Sequence, residues 1–178
     1  MAHFMEMLMN RVWAMPNKST YSILPIAQLI EKWQAQTSGK WIDPFCGQNK
    51  YASVTNDLNP EIVADYHLDA IDFLKLQSCA LQNVFFDPPY SPRQSSECYK
   101  SVGRAVNMKT TQSSWWANIK DEIARIVDID GICITSCWNS NGIGKSRGFE
   151  IEEVLLVAHG GWHNDTIVTV ERKIKNMS

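Results

Sequence analysis

The sequence predicts an α/β fold: a mostly parallel sheet with a C-terminal antiparallel hairpin. Three observations lead there. Short apolar runs alternate with stretches of helical periodicity, the pattern of parallel strands joined through crossover helices. One run, Val84-Phe85-Phe86, goes straight into Asp87-Pro88-Pro89-Tyr90. It reads as a strand covered on both faces that must stop at the acid, because proline cannot donate to a sheet ladder. The last two apolar runs, 149–158 and 164–172, flank His159-Gly160-Gly161-Trp162-His163, a turn that folds neighbouring strands antiparallel and is expected to add an antiparallel strand at one edge of the sheet.

Taken in order, residues 11–21 form an irregular polar segment around Pro16. Residues 24–36 repeat apolar side chains at helical spacing, with Ile26, Leu29, Ile30 and Trp33 on one face, Pro25 in the first turn and Ser38-Gly39 as the stop. Lys40 to Asp43 is a short strand entering the turn Asp43-Pro44-Phe45-Cys46-Gly47. Residues 53–57 read as a second strand ending at Asp57, and Ile62 to Asp65 as a brief third. His67 to Leu74 opens on a capping acid and continues as a helix. After the Asp87 turn, residues 91–114 are polar and carry Arg93, Lys100, Arg104 and Lys109. Residues 115–128 are helical, with Trp116, Ile119, Ile123 and Ile126 inward. Asp130-Gly131 turns into a strand over 132–135, and 138–148 is a second loop of Gly, Asn and basic residues.

The 178 residues allow one domain, spanning 1–178, with a real core. A hydrophobic share of 44% and a charged share of 20% are those of a soluble globular chain. A net charge of -2 gives no global basic field, so any nucleic-acid contact has to come from a local patch. The five cysteines lack framework spacing, and Cys133 and Cys137 read as small apolar residues of a reduced compartment. The Met-rich start has no basic leader and no long apolar stretch, so neither a secretory signal nor a membrane span is expected. His159 and His163 lack the further ligands a metal site needs, and no metal is expected.

The proline corner has chemistry of its own. In open α/β sheets ligands bind outside the carboxyl ends of the strands. There the corner presents one carboxylate, one backbone carbonyl held stiff by proline, and one aromatic ring. These are the parts needed to grip a flat group bearing an NH2.

With those residues in view, Asp87-Pro88-Pro89-Tyr90 resembles the catalytic signature of the amino-group DNA methyltransferases, Asp/Asn/Ser-Pro-Pro-aromatic after an apolar strand. Asp43-Pro44-Phe45-Cys46-Gly47 resembles that family's cofactor loop, with Asn49 where a last glycine usually stands. Asn56-Asp57, followed by Leu58, resembles the acidic strand end that takes the cofactor ribose, and Asp69-Ala70 with Asp72-Phe73-Leu74 the segment reaching the adenine ring. Pro16-Asn17-Lys18 resembles the segment on the methionine side. The resemblance covers most of the chain, with its motifs in the family's order. It implies a Rossmann-like fold and S-adenosylmethionine (SAM) as cofactor. The implied activity is methyl transfer to N6 of adenine in DNA. Cytosine N4, adenine in RNA, or a catalytically silent SAM- or nucleic-acid-binding module are the alternatives. Small enzymes of this kind are carried by phages and mobile elements, which implies the cytoplasm of a bacterial or phage-infected cell.

The implied catalytic residues are Asp87, Pro88, Pro89 and Tyr90. The cofactor residues are Asn17, Lys18, Asp43, Pro44, Phe45, Cys46, Gly47, Asp57, Leu58, Asp69 and Ala70. Phosphate contacts fall to Arg93, Lys100, Arg104, Lys109, Lys145 and Arg147, since such contacts need clustered Lys and Arg. Each has a plainer reading beside it. Asp43-Pro44-Phe45 is equally a simple turn, Asp57 can simply cap the strand–helix turn, Asp69 taken alone is a helix cap before it is a ligand, and 91–114 is equally a solvated loop. Trp115 and Trp116 are read as core. No separate target-recognition region is expected, so target choice is expected to fall to loops 91–114 and 138–148. Either the recognition sequence is short or loose, or a second subunit of a homodimer helps.

Overall fold

The computed structural model describes residues 7–80, 82–103 and 113–177. Seven strands form one sheet: β1 (Leu8–Trp13), β2 (Lys40–Asp43), β3 (Val54–Thr55), β4 (Gln82–Phe86), β5 (Ile132–Cys137), β6 (Phe149–Ala158) and β7 (Thr166–Lys173), in the spatial order β3-β2-β4-β5-β7-β6-β1. β3, β2, β4 and β5 run parallel, while β7 lies antiparallel to both β5 and β6. Strand order turns between β2 and β4, because the chain moves outward to β3 after β2 and then returns to β4 on the other side. Such a switch point opens a crevice above the carboxyl ends of the strands.

Side-chain alternation along the strands divides the core in two. Ile42, Val84, Phe86 and Cys133 point to one face, under α2 (Ala70–Leu76) and α4 (Ser113–Ile126). Trp41, Phe85, Ile132 and Ile134 point to the other, under α1 (Leu24–Gln36). The period of 2 is what makes Val84-Phe85-Phe86 apolar at every position, since both of its faces are covered. Phe85 stacks on Trp41 with ring centroids 4.5 Å apart and meets Tyr21 at 5.3 Å. Lys173, buried on β7, donates to the Ala124 and Val127 carbonyls at 2.7 Å each and so closes the carboxyl end of α4.

The expected elements form, with four differences. Residues 8–13 are a strand, not part of an irregular segment: β1 pairs in parallel with β6 at the sheet edge. Its side chains are largely exposed, so no inward alternation marked it. Residues 62–65 form no strand, and the run between β3 and α2 keeps only an isolated bridge from Asn56 to Tyr66. The first part of the polar 91–114 stretch is a helix, α3 (Pro92–Ser101), with Ser91 capping it through Gln94 N–H and Pro92 in its first turn. The hairpin does not add a lone antiparallel strand at the edge: β7 enters the sheet between β5 and β6.

Candidate active site

β4 delivers its carboxyl end to the crevice, where Asp87-Pro88-Pro89-Tyr90 lines one cavity and Pro88 and Tyr90 form the wall it shares with a second. The first, about 600 Å³, is lined by residues that include Phe45, Asp57, Asp69, Asp87, Pro88 and Tyr90. The second, about 400 Å³, is lined by residues that include Pro88, Tyr90, Trp116, Lys120, Thr135 and Asn139. Pro88 and Tyr90 belong to both. Cavities of this size suit small ligands.

The corner is braced from three sides. Tyr90 Oη donates to Asp87 Oδ1 at 2.5 Å. The Thr20 hydroxyl, on the turn Thr20–Ser22 ahead of α1, lies within hydrogen-bonding reach of both Asp87 and Tyr90. Trp116 Nε1 donates to the Pro89 carbonyl at 3.0 Å, and the Gln94 side-chain oxygen accepts from Tyr90 N–H at 2.7 Å. Among the described residues the Pro88 carbonyl accepts no protein hydrogen bond. Burial pushes the Asp87 carboxyl up to about 6, although hydrogen bonds from Tyr90 and Thr20 hold it down. Burial and the neighbouring Asp87 charge keep Tyr90 far above the usual tyrosine range, so it remains a donor. The Tyr90 ring meets Trp138 edge-on at 5.5 Å.

On the cofactor-loop side, Asp43 ends β2 fully buried and outside the first cavity's lining. It accepts from Phe45 N–H at 2.9 Å and Asn49 Nδ2 at 2.6 Å, so it shapes the loop from beneath. Burial, with the Asp87 and Asp57 charges adding to it, pushes Asp43 up to about 7. Gly47 adopts φ +49° with open space where a Cβ would be, so backbone conformation rather than crowding calls for glycine there. Its N–H donates to Asp57 Oδ2 at 2.9 Å. Cys46 is buried beneath the loop. Pro44, Phe45, Asp57, Leu58, Asp69 and Ala70 all line the first cavity. Asp69 also caps α2 through Ile71 N–H and accepts from the Tyr99 hydroxyl of α3. Asn17 lines a third cavity beside the loop, of about 750 Å³, together with Gly47, Gln48 and Asn49. Lys18 is exposed and lines none of the three.

The basic residues divide. Lys100 and Lys145 are exposed, and Arg93 is exposed in an i,i+4 pair with Glu97 at 2.9 Å. Arg147 is turned inward: it pairs with Asp121 at 2.6 Å and donates to the Ile143 and Ala117 carbonyls. It thus ties the 138–148 loop to α4 instead of facing solvent as a free phosphate ligand. Arg104 and Lys109 lie outside the described residues. His159 is a satisfied core histidine between the Ala14 carbonyl and Thr166 Oγ1. Among the described residues no group of His, Cys, Asp or Glu could hold a metal, and no helix is long and apolar enough to cross a membrane.

Several site residues lay beyond sequence reasoning. Thr20 belongs to a segment with no periodicity. Asn56 is a buried hub: its Nδ2 donates to the Pro44 and Leu68 carbonyls, and its Oδ1 accepts from Leu68 N–H. Trp116 was expected in the core for its place on the apolar face of α4, but it is half-buried against the corner. Its i,i+4 spacing to Lys120 is the signal that places both on one stripe.

No family model and no curated protein matches the sequence. Solved structures do match. One is a 1,6-didemethyltoxoflavin-N1-methyltransferase of Burkholderia thailandensis with bound 1,6-didemethyltoxoflavin and S-adenosylhomocysteine, at TM-score 0.57 and 10% identity over 85% of this chain and 77% of that one. Another is magnesium protoporphyrin IX methyltransferase of Synechocystis PCC 6803 with bound SAM, at TM-score 0.53 and 10% identity over 84% and 78%. A third is TrmN from Thermus thermophilus, at TM-score 0.53 and 13% identity over 85% and 49%. In sheet order, parallel half and inserted antiparallel strand, this chain has the Rossmann-like fold of SAM-dependent methyltransferases.

Proposed function

We propose that the protein transfers a methyl group from SAM to the exocyclic N6 amine of adenine in DNA. The observation that carries this reading is the shared wall. Pro88, with its unengaged carbonyl, and the Tyr90 ring stand between a cavity with cofactor-type donors and a second cavity of base size, and the Asp87 carboxylate borders the first beside them. The first cavity fits an adenosyl group by its chemistry. Phe45, Leu58, Leu68 and Ala70 offer apolar walls, Asp57 and Asp69 offer carboxylates for hydroxyl or amine donors, and the buried Trp115 Nε1 in its wall has no partner among the described residues. Asn17 and the Gly47 loop border the third cavity, the expected methionine side. Bound there, the cofactor supplies an electrophilic methyl on a sulfonium and needs no metal.

What the chain itself does is hold and polarise the amine. An aromatic NH2 is a poor nucleophile because its lone pair is delocalised into the ring. Asp87 and the Pro88 carbonyl can accept one N–H each, which favours a pyramidal nitrogen and frees the lone pair. Both acceptors act most strongly as positive charge develops on that nitrogen. Tyr90, pinned through its hydroxyl to Asp87 and through its N–H to Gln94, sets one face for the ring. A base reaches such a pocket only after leaving the duplex. Asp87, with its carboxyl near 6, is suited to take the proton the nitrogen sheds and pass it to solvent. The exposed Lys100 sits on α3 and Lys145 on the 138–148 loop, elements that line the two cavities.

A labelled-methyl transfer assay on duplex DNA, single-stranded DNA, RNA and free adenosine, with nucleoside analysis and Asp87→Ala alongside, tests the proposal. N6-methyladenine in DNA, lost in the variant, is the expected result. N4-methylcytosine or label in RNA alone would move the target, and SAM binding without transfer to any acceptor would make the chain a binding module.

A further inference from the structure

Lys120 projects from α4 into the second cavity, one helical turn beyond Trp116, which holds the catalytic corner. Its ammonium makes no hydrogen bond and no ion pair among the described residues. The carboxylate that acts on it, Glu171 of β7, is already spent on the loop backbone: it accepts from Ile143 N–H at 2.5 Å and Gly144 N–H at 3.0 Å. The other charge nearby, Arg147, is of like sign and is paired with Asp121. Burial and Arg147 together lower the Lys120 pKa. A half-buried ammonium with unfilled donors is costly unless something accepts from it. Lysines of this kind usually snorkel to open space, and the space beside this one is the second cavity, next to Pro88 and Thr135.

We infer that Lys120 is a specificity-determining residue that donates a hydrogen bond to a ring nitrogen of the acceptor base. The inference rests on the nucleobase-amine reading above. With the two amine hydrogens taken by Asp87, at the first cavity, and by the Pro88 carbonyl, at the wall both cavities share, the ring would extend across that wall with the edge beside the amine in the second cavity. On adenine that edge carries the acceptors N1 and N7, and N3 lies across the ring. A charged donor in the cavity, which neutral Thr135 and Asn139 do not supply, favours rings that place a nitrogen acceptor there and disfavours those that place an N–H or C–H.

The test uses the full chain and an oligonucleotide containing an adenine that the wild-type protein methylates. That adenine is replaced in turn by 1-deaza-, 3-deaza- and 7-deazaadenine, and single-turnover rates and oligonucleotide affinity are measured for wild type and Lys120→Met. One of the three analogues should lower the wild-type rate about 10- to 100-fold, the loss expected for one charged hydrogen bond. Lys120→Met should lower the rate on adenine by a similar factor, bind SAM as wild type does, and show no added loss on that one analogue. Wild-type rates unchanged on all three analogues overturn the inference whatever the variant does, so a misfolded variant cannot shield it. Losses that multiply, or a Lys120→Met protein as fast as wild type, also overturn it. Absence of any wild-type transfer to nucleic acid removes the parent reading and this one together, whereas transfer indifferent to these changes removes this one alone.

Discussion

Tyr90 and Asp87, three residues apart on one proline corner, are joined side chain to side chain at 2.5 Å. The carboxylate assigned to the amine therefore already carries one neutral donor, and the side chain borders the first cavity. With its carboxyl pushed up to about 6 by burial, Asp87 is ionised above that pH and neutral below it. Only the anion accepts strongly from an amine gaining positive charge. The single-turnover rate should therefore fall as pH drops through about 6 and level off above it. Asp87→Ala should cost about 10²- to 10³-fold at neutral pH. Asp87→Asn keeps one acceptor oxygen, so it should retain measurable transfer but lose the acid limb. A wild-type rate that is flat across that range would count against Asp87 as the acceptor.

Removing only the phenolic hydroxyl separates the two jobs of Tyr90. Its hydrogen bond stabilises the Asp87 anion, so Tyr90→Phe should raise the carboxyl further and move the acid limb above about 6. The ring remains, so affinity for nucleic acid should change little. Tyr90→Ala removes the ring as well and should weaken binding of the acceptor strand by about 1–3 kcal/mol, the worth of stacking on one base. Rate–pH profiles and strand titrations of the two variants read these effects separately. An unmoved acid limb in Tyr90→Phe would show that the hydroxyl does not tune Asp87.

Much of this arrangement was legible because it is local. Val84-Phe85-Phe86 reads as a doubly covered strand from its composition alone, and prolines 88 and 89 mark its end whatever the rest of the chain does. The six residues Pro44, Phe45, Asp57, Leu58, Asp69 and Ala70 converge on one cavity because each follows or precedes an element the periodicity shows. What was not legible depends on contacts far apart in sequence. β1 has no buried face to write an alternation, and only its pairing with β6 makes it a strand. Arg147 reads as a surface cation until Asp121, from another element, takes its guanidinium. Thr20 and Asn56 are small polar residues whose value lies wholly in partners brought to them by the fold.

The wall of the second cavity depends on a carboxylate behind it. Gly142 adopts φ +45°, and a Cβ there would lie 2.1 Å from Glu171 Oε2. Gly142→Ala must displace either the 138–148 loop or the Glu171 clamp on Ile143 and Gly144. A cost of about 1–3 kcal/mol in denaturant unfolding is expected for such overpacking. Because Gly142 lines the second cavity and not the first, SAM affinity should hold while KM for the acceptor strand rises. Equal losses in both affinities would place the loop's influence elsewhere.

Asp57 offers the converse experiment. Both of its oxygens already brace backbone, Oδ2 from Gly47 N–H at 2.9 Å and Oδ1 from Asn59 N–H at 2.8 Å, yet the side chain lines the first cavity. Each oxygen retains a lone pair for a hydroxyl. Asp57→Asn keeps one of the two braces and removes the charge, so calorimetry should show weaker SAM binding, by about 1–3 kcal/mol. The acid limb set by Asp87 should stay in place. Undiminished SAM affinity in this variant would take the ribose role away from Asp57.

Asp43 turns the same burial into a stability effect with a defined sign. An unfolded aspartate releases its proton near pH ~3.9, whereas folded Asp43 releases it at about 7. Between those two values the folded chain binds more protons than the unfolded one, so stability falls as pH rises through that window and stops falling above it. The contribution is fully present below the unfolded value and lost above the folded one. Asp87 is shifted in the same direction, so wild type alone cannot separate the two acids. Asp43→Asn does, because an amide has no proton to lose there and can still accept from Phe45 N–H. Its Tm should therefore decline less than the wild-type Tm between about pH 5 and about pH 8, even if the lost acceptor for Asn49 lowers the curve as a whole. Parallel Tm–pH curves for the two proteins would mean that Asp43 does not hold a proton in the folded chain.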